Sequence, residues 1–125
     1  MKIPLFFNTI KAGFPSPAED FIEDKLNLNH FLIEHPASTF FVKVSGDSMI
    51  NAGILPGSIL IVDRSLDPHN NSTVVAVIDS EFTVKRLGYL KNERYLFPEN
   101  PKYKPIKLKD SDEIWGVVTA IITQL

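Results

Sequence analysis

Six short apolar runs, broken by turn signals and with no long helical pattern among them, leave few folds open to this chain. They are Thr39–Val44, Ile59–Val62, Thr73–Ile78, Phe82–Leu87, Arg94–Phe97 and Ile114–Thr123, rich in the β-branched and aromatic residues that suit a pleated surface. Between them lie Pro56-Gly57, Asp67-Pro68-His69-Asn70-Asn71, Asp79-Ser80 and Pro98-Glu99-Asn100-Pro101, residues that fix or permit turn conformations. This spacing predicts a small, mostly β fold whose sheet is strongly bent or partly closed. Trp115–Ile122 is the most hydrophobic of the runs and reads as a central strand or a dimer-forming one.

The residues before Thr39 read differently. Positions 1–15 show neither helical nor strand periodicity, and Pro4, Gly13 and Pro15 interrupt both, so an extended arm is expected there. Ile3, Leu5, Phe6 and Phe7 each cost about 1.5–3 kcal/mol to leave in water, which favours an arm lying against the body or a partner chain. Ser16-Pro17-Ala18-Glu19 has the form of a capping box with proline at the first helical position, which predicts a helix from Pro17 to Asn27. A second short helix is expected over Leu28–Glu34, capped by Asn27, with Leu28, Phe31 and Leu32 facing inward. The expected organisation is an arm over 1–15 and a β domain over 16–125 with one or two short helices.

A chain of 125 residues can bury one real core. The 13 Lys and Arg against 15 Asp and Glu give a formal net charge of −2, which argues against general affinity for nucleic-acid phosphates. Without cysteine there is neither a disulfide framework nor thiolate chemistry, and the scattered His30, His35 and His69 offer no metal-ligand spacing. No cofactor is expected. The apolar runs fall far short of the roughly 20 residues that span a bilayer, and a cytoplasmic location is expected.

Chemistry enters at Val44-Ser45-Gly46-Asp47-Ser48-Met49, where a β-type run breaks and lifts a serine onto a turn. A serine hydroxyl is a weak nucleophile until a base takes its proton. A histidine base stays open but nothing in the sequence supports one of the three, and lysine is the other known base for serine, provided it is held neutral. Lys85 lies inside the run Phe82–Leu87, where period-two alternation puts it on one face with Thr83 and Leu87 and puts Arg86 on the other with Val84. By pattern alone Lys85 reads as an ordinary solvent-facing strand residue and Ser48 as an ordinary turn serine, and neither period nor composition overturns that.

Three segments read together change that balance. Ala12-Gly13-Phe14-Pro15-Ser16-Pro17-Ala18, Phe41–Met49 and Glu81–Leu87 resemble, in order and spacing, the LexA/UmuD family of self-cleaving serine peptidases, with Ser48 and Lys85 37 residues apart. The resemblance runs from about Pro4 to near the C-terminus and is nearest to the UmuD mutagenesis branch. It implies that Ser48 is the nucleophile and Lys85 the general base of a Ser/Lys dyad. The bond cut is then the chain's own, between Ala12 and Gly13, with the backbone N–H groups of Ser48 and Met49 as oxyanion donors. Ala12 is small and Gly13 allows close backbone approach, as a shallow site requires.

The resemblance also implies a homodimer, a RecA filament on single-stranded DNA as co-protease, and a UmuC-type polymerase subunit that takes up the trimmed product in the SOS response. The rival expectation is a non-enzymatic dimeric module that binds a polymerase or RecA with the dyad idle. A repressor of the same family needs a DNA-reading helix-turn-helix, for which the 15 residues before the first helix cap leave no room.

Overall fold

The computed structural model describes residues 2–6 and 22–125 in two compact units, Met1–Glu34 and His35–Leu125. In the first unit, β1 (Ile3–Phe6) pairs antiparallel with β2 (Ile22–Leu26), with Ile3 opposite Leu26 and Leu5 opposite Asp24. Two expectations are corrected here. Ile3–Phe6 is a strand, and the described part of the span expected to be helical, Ile22–Leu26, is a strand as well. The apolar stripe of Ile22 and Leu26 is too narrow to hold a short helix whose nucleation is itself unfavourable, and β1 supplies the backbone partners that a strand needs. The capping box at Ser16, and the boundary expected between residues 15 and 16, lie outside the described residues.

The second short helix is present as α1 (Leu28–Leu32), with the Asn27 side chain accepting from the N–H groups of Asn29 at 3.0 Å and His30 at 3.4 Å. Its expected inward face is not buried: Leu28 and Phe31 are exposed. One and a half turns offer too little surface to bury a stripe.

All six expected strands form within the second unit, Thr73–Ile78 with the expected bounds and the others with ends moved by at most three residues. They are β3 (Thr39–Lys43), β4 (Ile59–Asp63), β5 (Thr73–Ile78), β6 (Glu81–Leu90), β7 (Glu93–Phe97) and β9 (Glu113–Ile122). A two-residue strand, β8 (Ile106–Lys107), is additional. The sheet is antiparallel in the order β3-β4-β9-β5-β6-β7-β8, so the Trp115–Ile122 run is a central strand. The hairpin turns sit at Asp79-Ser80 and Lys91-Asn92, all four residues with positive φ, as tight turns between twisted strands require.

The sheet bends because both ladders onto β9 are irregular. Register shifts lie between Ile61 and Val62 on β4 and between Val75 and Ala76 on β5, and each such bulge increases local twist. Four strand spacings separate β3 from β6, about 19 Å in a flat sheet. Yet Phe40 of β3 and Phe82 of β6 both meet Trp115 of β9, with ring centroids 5.4 and 5.2 Å away. The curl gives the sheet two cores. Val75 faces one, with Val44, Met49, Ile54, Leu60 and Val62, while Val74 and Ala76 face the other with Leu87 and Leu96. A strand buried on both faces reads as a continuous apolar run, which is why β5 shows no alternation. Gly116 lies at a close crossing, where a Cβ would stand 2.5 Å from Val62 Cγ1.

Candidate active site

Lys85 is fixed by the middle of β6, paired across to Val74 of β5, and is only 7% exposed. As alternation predicts, it shares a face with Thr83, and its Nζ lies 2.7 Å from Thr83 Oγ1, 2.7 Å from Ser48 Oγ and 3.1 Å from the Val84 carbonyl. None of the ion pairs among the described residues includes Lys85. Burial pushes its pKa below the ordinary lysine value, and no carboxylate pulls it back. The three contacts suit the neutral amine. Two N–H groups donate to Thr83 and to the Val84 carbonyl, and the lone pair is left facing the Ser48 hydroxyl.

The serine is presented by a loop whose ends and middle are all held. Beyond β3, Val44 N–H donates to the Ser58 carbonyl at 2.8 Å and Gly57 N–H donates to the Val44 carbonyl at 2.7 Å, extending the β3–β4 pairing. Gly57 has a φ of 89°, a conformation that costs little only for glycine. Met49, 1% exposed, anchors the far end of the loop in the core among Val44, Leu60 and Val75. Ser48 carbonyl accepts from Glu99 N–H at 2.8 Å, and Asp47 carbonyl accepts from the Asn100 side chain at 2.9 Å. The N–H groups of Ser48 and Met49 make no hydrogen bond among the described residues.

A cleft of about 410 Å³ runs between the Val42–Met49 segment and Phe82–Lys85, with Tyr103 and Lys104 also lining it. Val42, Val44, Leu60, Val75 and Phe82 form its apolar side, while Lys43 and Asp47 also line it, and burial in this setting lowers the Lys85 pKa. The structure brings Ser48 and Lys85 together, and it seats Met49 in the core directly after the serine. Ala12 and Gly13 lie outside the described residues. His35 bonds Asp63 through Nδ1 at 2.6 Å, so the group that meets Ser48 is the lysine.

Sequence reasoning missed Glu99, Asn100 and Tyr103 as parts of the site. They were legible only as a proline-flanked turn and its continuation, and nothing in a turn sequence indicates that Asn100 is buried. Thr83 was placed on the right face but not as an acceptor for Lys85.

A lysine amine whose pKa is lowered by burial, 2.7 Å from a serine hydroxyl in a cleft, defines a serine peptidase of the Ser/Lys type, the class in which lysine replaces histidine as base. Residues 4–119 match the Peptidase S24-like family, and the chain belongs to that family. Protein SamA of Salmonella typhimurium is 47% identical over 119 residues, covering 95% of this chain and 84% of SamA. Protein MucA of Escherichia coli is 46% identical over 121 residues, covering 94% of this chain and 82% of MucA. The LexA repressor of Anaeromyxobacter dehalogenans is 37% identical over 130 residues, which take in the whole of this chain but 56% of the repressor. The chain is thus a self-cleaving serine peptidase of the UmuD-like kind, which serves error-prone polymerases in SOS mutagenesis. Among the described residues no helix is long and apolar enough to cross a membrane.

Proposed function

We propose that Ser48 and Lys85 cut the Ala12–Gly13 bond of the chain itself, releasing residues 1–12 and leaving 13–125 as the polymerase accessory. The observation that carries this reading is the 2.7 Å approach of Nζ to Oγ, with no ion pair to the lysine among the described residues. Neutral Lys85 takes the Ser48 proton as Oγ attacks the Ala12 carbonyl carbon. The oxyanion that forms accepts hydrogen bonds from the free N–H groups of Ser48 and Met49. The Lys85 ammonium then gives its proton to the leaving Gly13 amine, and the C–N bond breaks to leave an ester between Ser48 and Ala12. Water, deprotonated by the now neutral Lys85, hydrolyses that ester and restores the serine.

A tethered scissile bond removes most of the orientational cost, worth about 7–11 kcal/mol when the approach is well aligned. Control therefore resides in docking of the segment that carries Ala12. The partners of this reading are a second copy of the chain, a RecA filament on single-stranded DNA that promotes docking, and a UmuC-type polymerase subunit, all in the cytoplasm.

Intact-mass measurement of the purified protein tests the reading. Loss of residues 1–12 is expected to accelerate as pH rises from 7 toward 10, and to accelerate at pH 7 when RecA, ATP and single-stranded DNA are added. A mass unchanged under both conditions would leave only the non-enzymatic interaction module.

A further inference from the structure

Lys85 and Arg86 are consecutive on β6 and point to opposite faces, yet both reach the nucleophile loop. Lys85 does so directly. Arg86 does so through Glu99, whose Oε1 accepts from Arg86 Nε at 2.5 Å. The backbone of Glu99 in turn brackets the serine: its N–H donates to the Ser48 carbonyl and its carbonyl accepts from Asn51 N–H, both at 2.8 Å. The neighbouring Asn100, 8% exposed, donates to the Asp47 carbonyl at 2.9 Å, and the Tyr103 hydroxyl donates to Asp47 Oδ1 at 2.5 Å. Arg86 is itself held on two further sides, by Asn71 Oδ1 at 2.9 Å and by the Phe97 ring at 5.1 Å from its guanidinium carbon.

We propose that the Arg86–Glu99 pair and Asn100 form a brace that sets the separation of Ser48 from Lys85, making these three positioning residues for self-cleavage. The inference rests on the Ser48/Lys85 reading above. A single hydrogen bond from a four-carbon side chain cannot hold two backbones in register, because the lysine has rotamers with which to follow any drift. The brace adds a second link between the two elements: β6 to Glu99 by the Arg86–Glu99 side-chain pair, and Glu99 to Ser48 by the peptide group. Its charges are half-buried, so the pair is neither a freely solvated surface contact nor a core element on which folding depends. A displacement of about 1 Å at a reacting pair costs on the order of 100-fold in rate, which is the scale on which a brace acts.

The test compares Arg86→Gln, Glu99→Gln, Asn100→Ala and Arg86→Lys with the parent. Lys107→Gln serves as the control, breaking the 2.7 Å Lys107–Glu93 pair, which does not touch the loop. Two rates are followed across pH 7–10.5: loss of residues 1–12 by intact mass, and covalent labelling of Ser48 by a fluorophosphonate. Brace variants are expected to lose about 10- to 100-fold in the high-pH limiting rate of both reactions. The midpoint of the pH limb should stay in place, since the apolar walls around Lys85 are untouched. Arg86→Lys, which keeps the charge but not the forked geometry, is expected to fall between Arg86→Gln and the parent, and Lys107→Gln to match the parent.

Brace variants that cleave and label at the parent's rate overturn the brace and leave the dyad standing. So do losses that vanish once rates are scaled to the folded fraction measured by denaturant titration. A parent that neither cleaves nor labels refutes the dyad and the brace with it.

Discussion

Two buried charged side chains sit on one sheet, on β4 and β6 with two strands between them, and the molecule treats them in opposite ways. Asp63, at the end of β4, is 3% exposed and receives the His35 ring at 2.6 Å, Ser38 Oγ at 2.9 Å, and the Ser65 hydroxyl and N–H at 2.7 and 2.9 Å. Burial alone would push its pKa up, but these donors outweigh it and hold the carboxyl well below the usual carboxylate range. Lys85 has comparable burial and only neutral acceptors, so burial acts unopposed and its pKa falls. The difference separates structure from chemistry. A buried charge supplied with donors stays charged and ties elements together, whereas one denied a counter-charge gives up its proton more readily and can serve as a base.

The largest way to break the comparison is to remove the dyad. Ser48→Ala and Lys85→Ala are each expected to slow loss of residues 1–12 by about 10⁴-fold or more, since residues acting as a unit fail as a unit. Cleavage surviving in either variant would reassign that residue. Next comes the structural charge. Asp63→Ala strands the donors of Ser38, Ser65 and His35, and is expected to lower unfolding free energy by about 2–4 kcal/mol in a urea titration. Because the folded-state pKa of Asp63 is depressed, its contribution is full above the unfolded value of about 3.9 and is lost as pH falls below it.

Lys85 has the opposite sign. Its folded pKa is lowered, so below that pKa the native state must hold a cation that burial disfavours. Lys85→Met is therefore expected to stabilise the fold by about 1–3 kcal/mol at pH 7 while abolishing cleavage. The gap from the parent should close as pH rises from the folded pKa toward the unfolded value of about 10.4. A destabilised Lys85→Met protein would show that the lysine holds the fold together as Asp63 does. The smallest effect is expected from Thr83→Val, which keeps shape but removes one acceptor from Nζ, and should slow cleavage about 5-fold with little change in stability.

Much of this contrast was legible before any coordinates. The β fold was visible because β4, β5 and β9 carry apolar runs too short for helices and are bounded by residues that dictate turns. Lys85 and Ser48 each read locally as ordinary strand and turn residues, and became visible because their segments and spacing match a known family. The strand Ile22–Leu26 was not visible, because its partner Ile3–Phe6 is distant in sequence and the intervening capping box argued for a helix. Nor was the loop support at Glu99, Asn100 and Tyr103, since polar turn residues look alike whether they face water or close on a nucleophile. The donors around Asp63 were hidden for the same reason: Ser38 and Ser65 carry no pattern until the chain brings them to one carboxylate.

Direct titration of Lys85 tests the central claim. In the Ser48→Ala protein, which keeps its arm, the Lys85 side-chain NMR signals can be followed from pH 6 to 12 and compared with the pH limb of self-cleavage in the parent. A midpoint clearly below the ordinary lysine value of about 10.4, coinciding with the cleavage limb, is the expected result. A midpoint at the ordinary value, or a cleavage limb that ignores it, would contradict a desolvated lysine acting as the base.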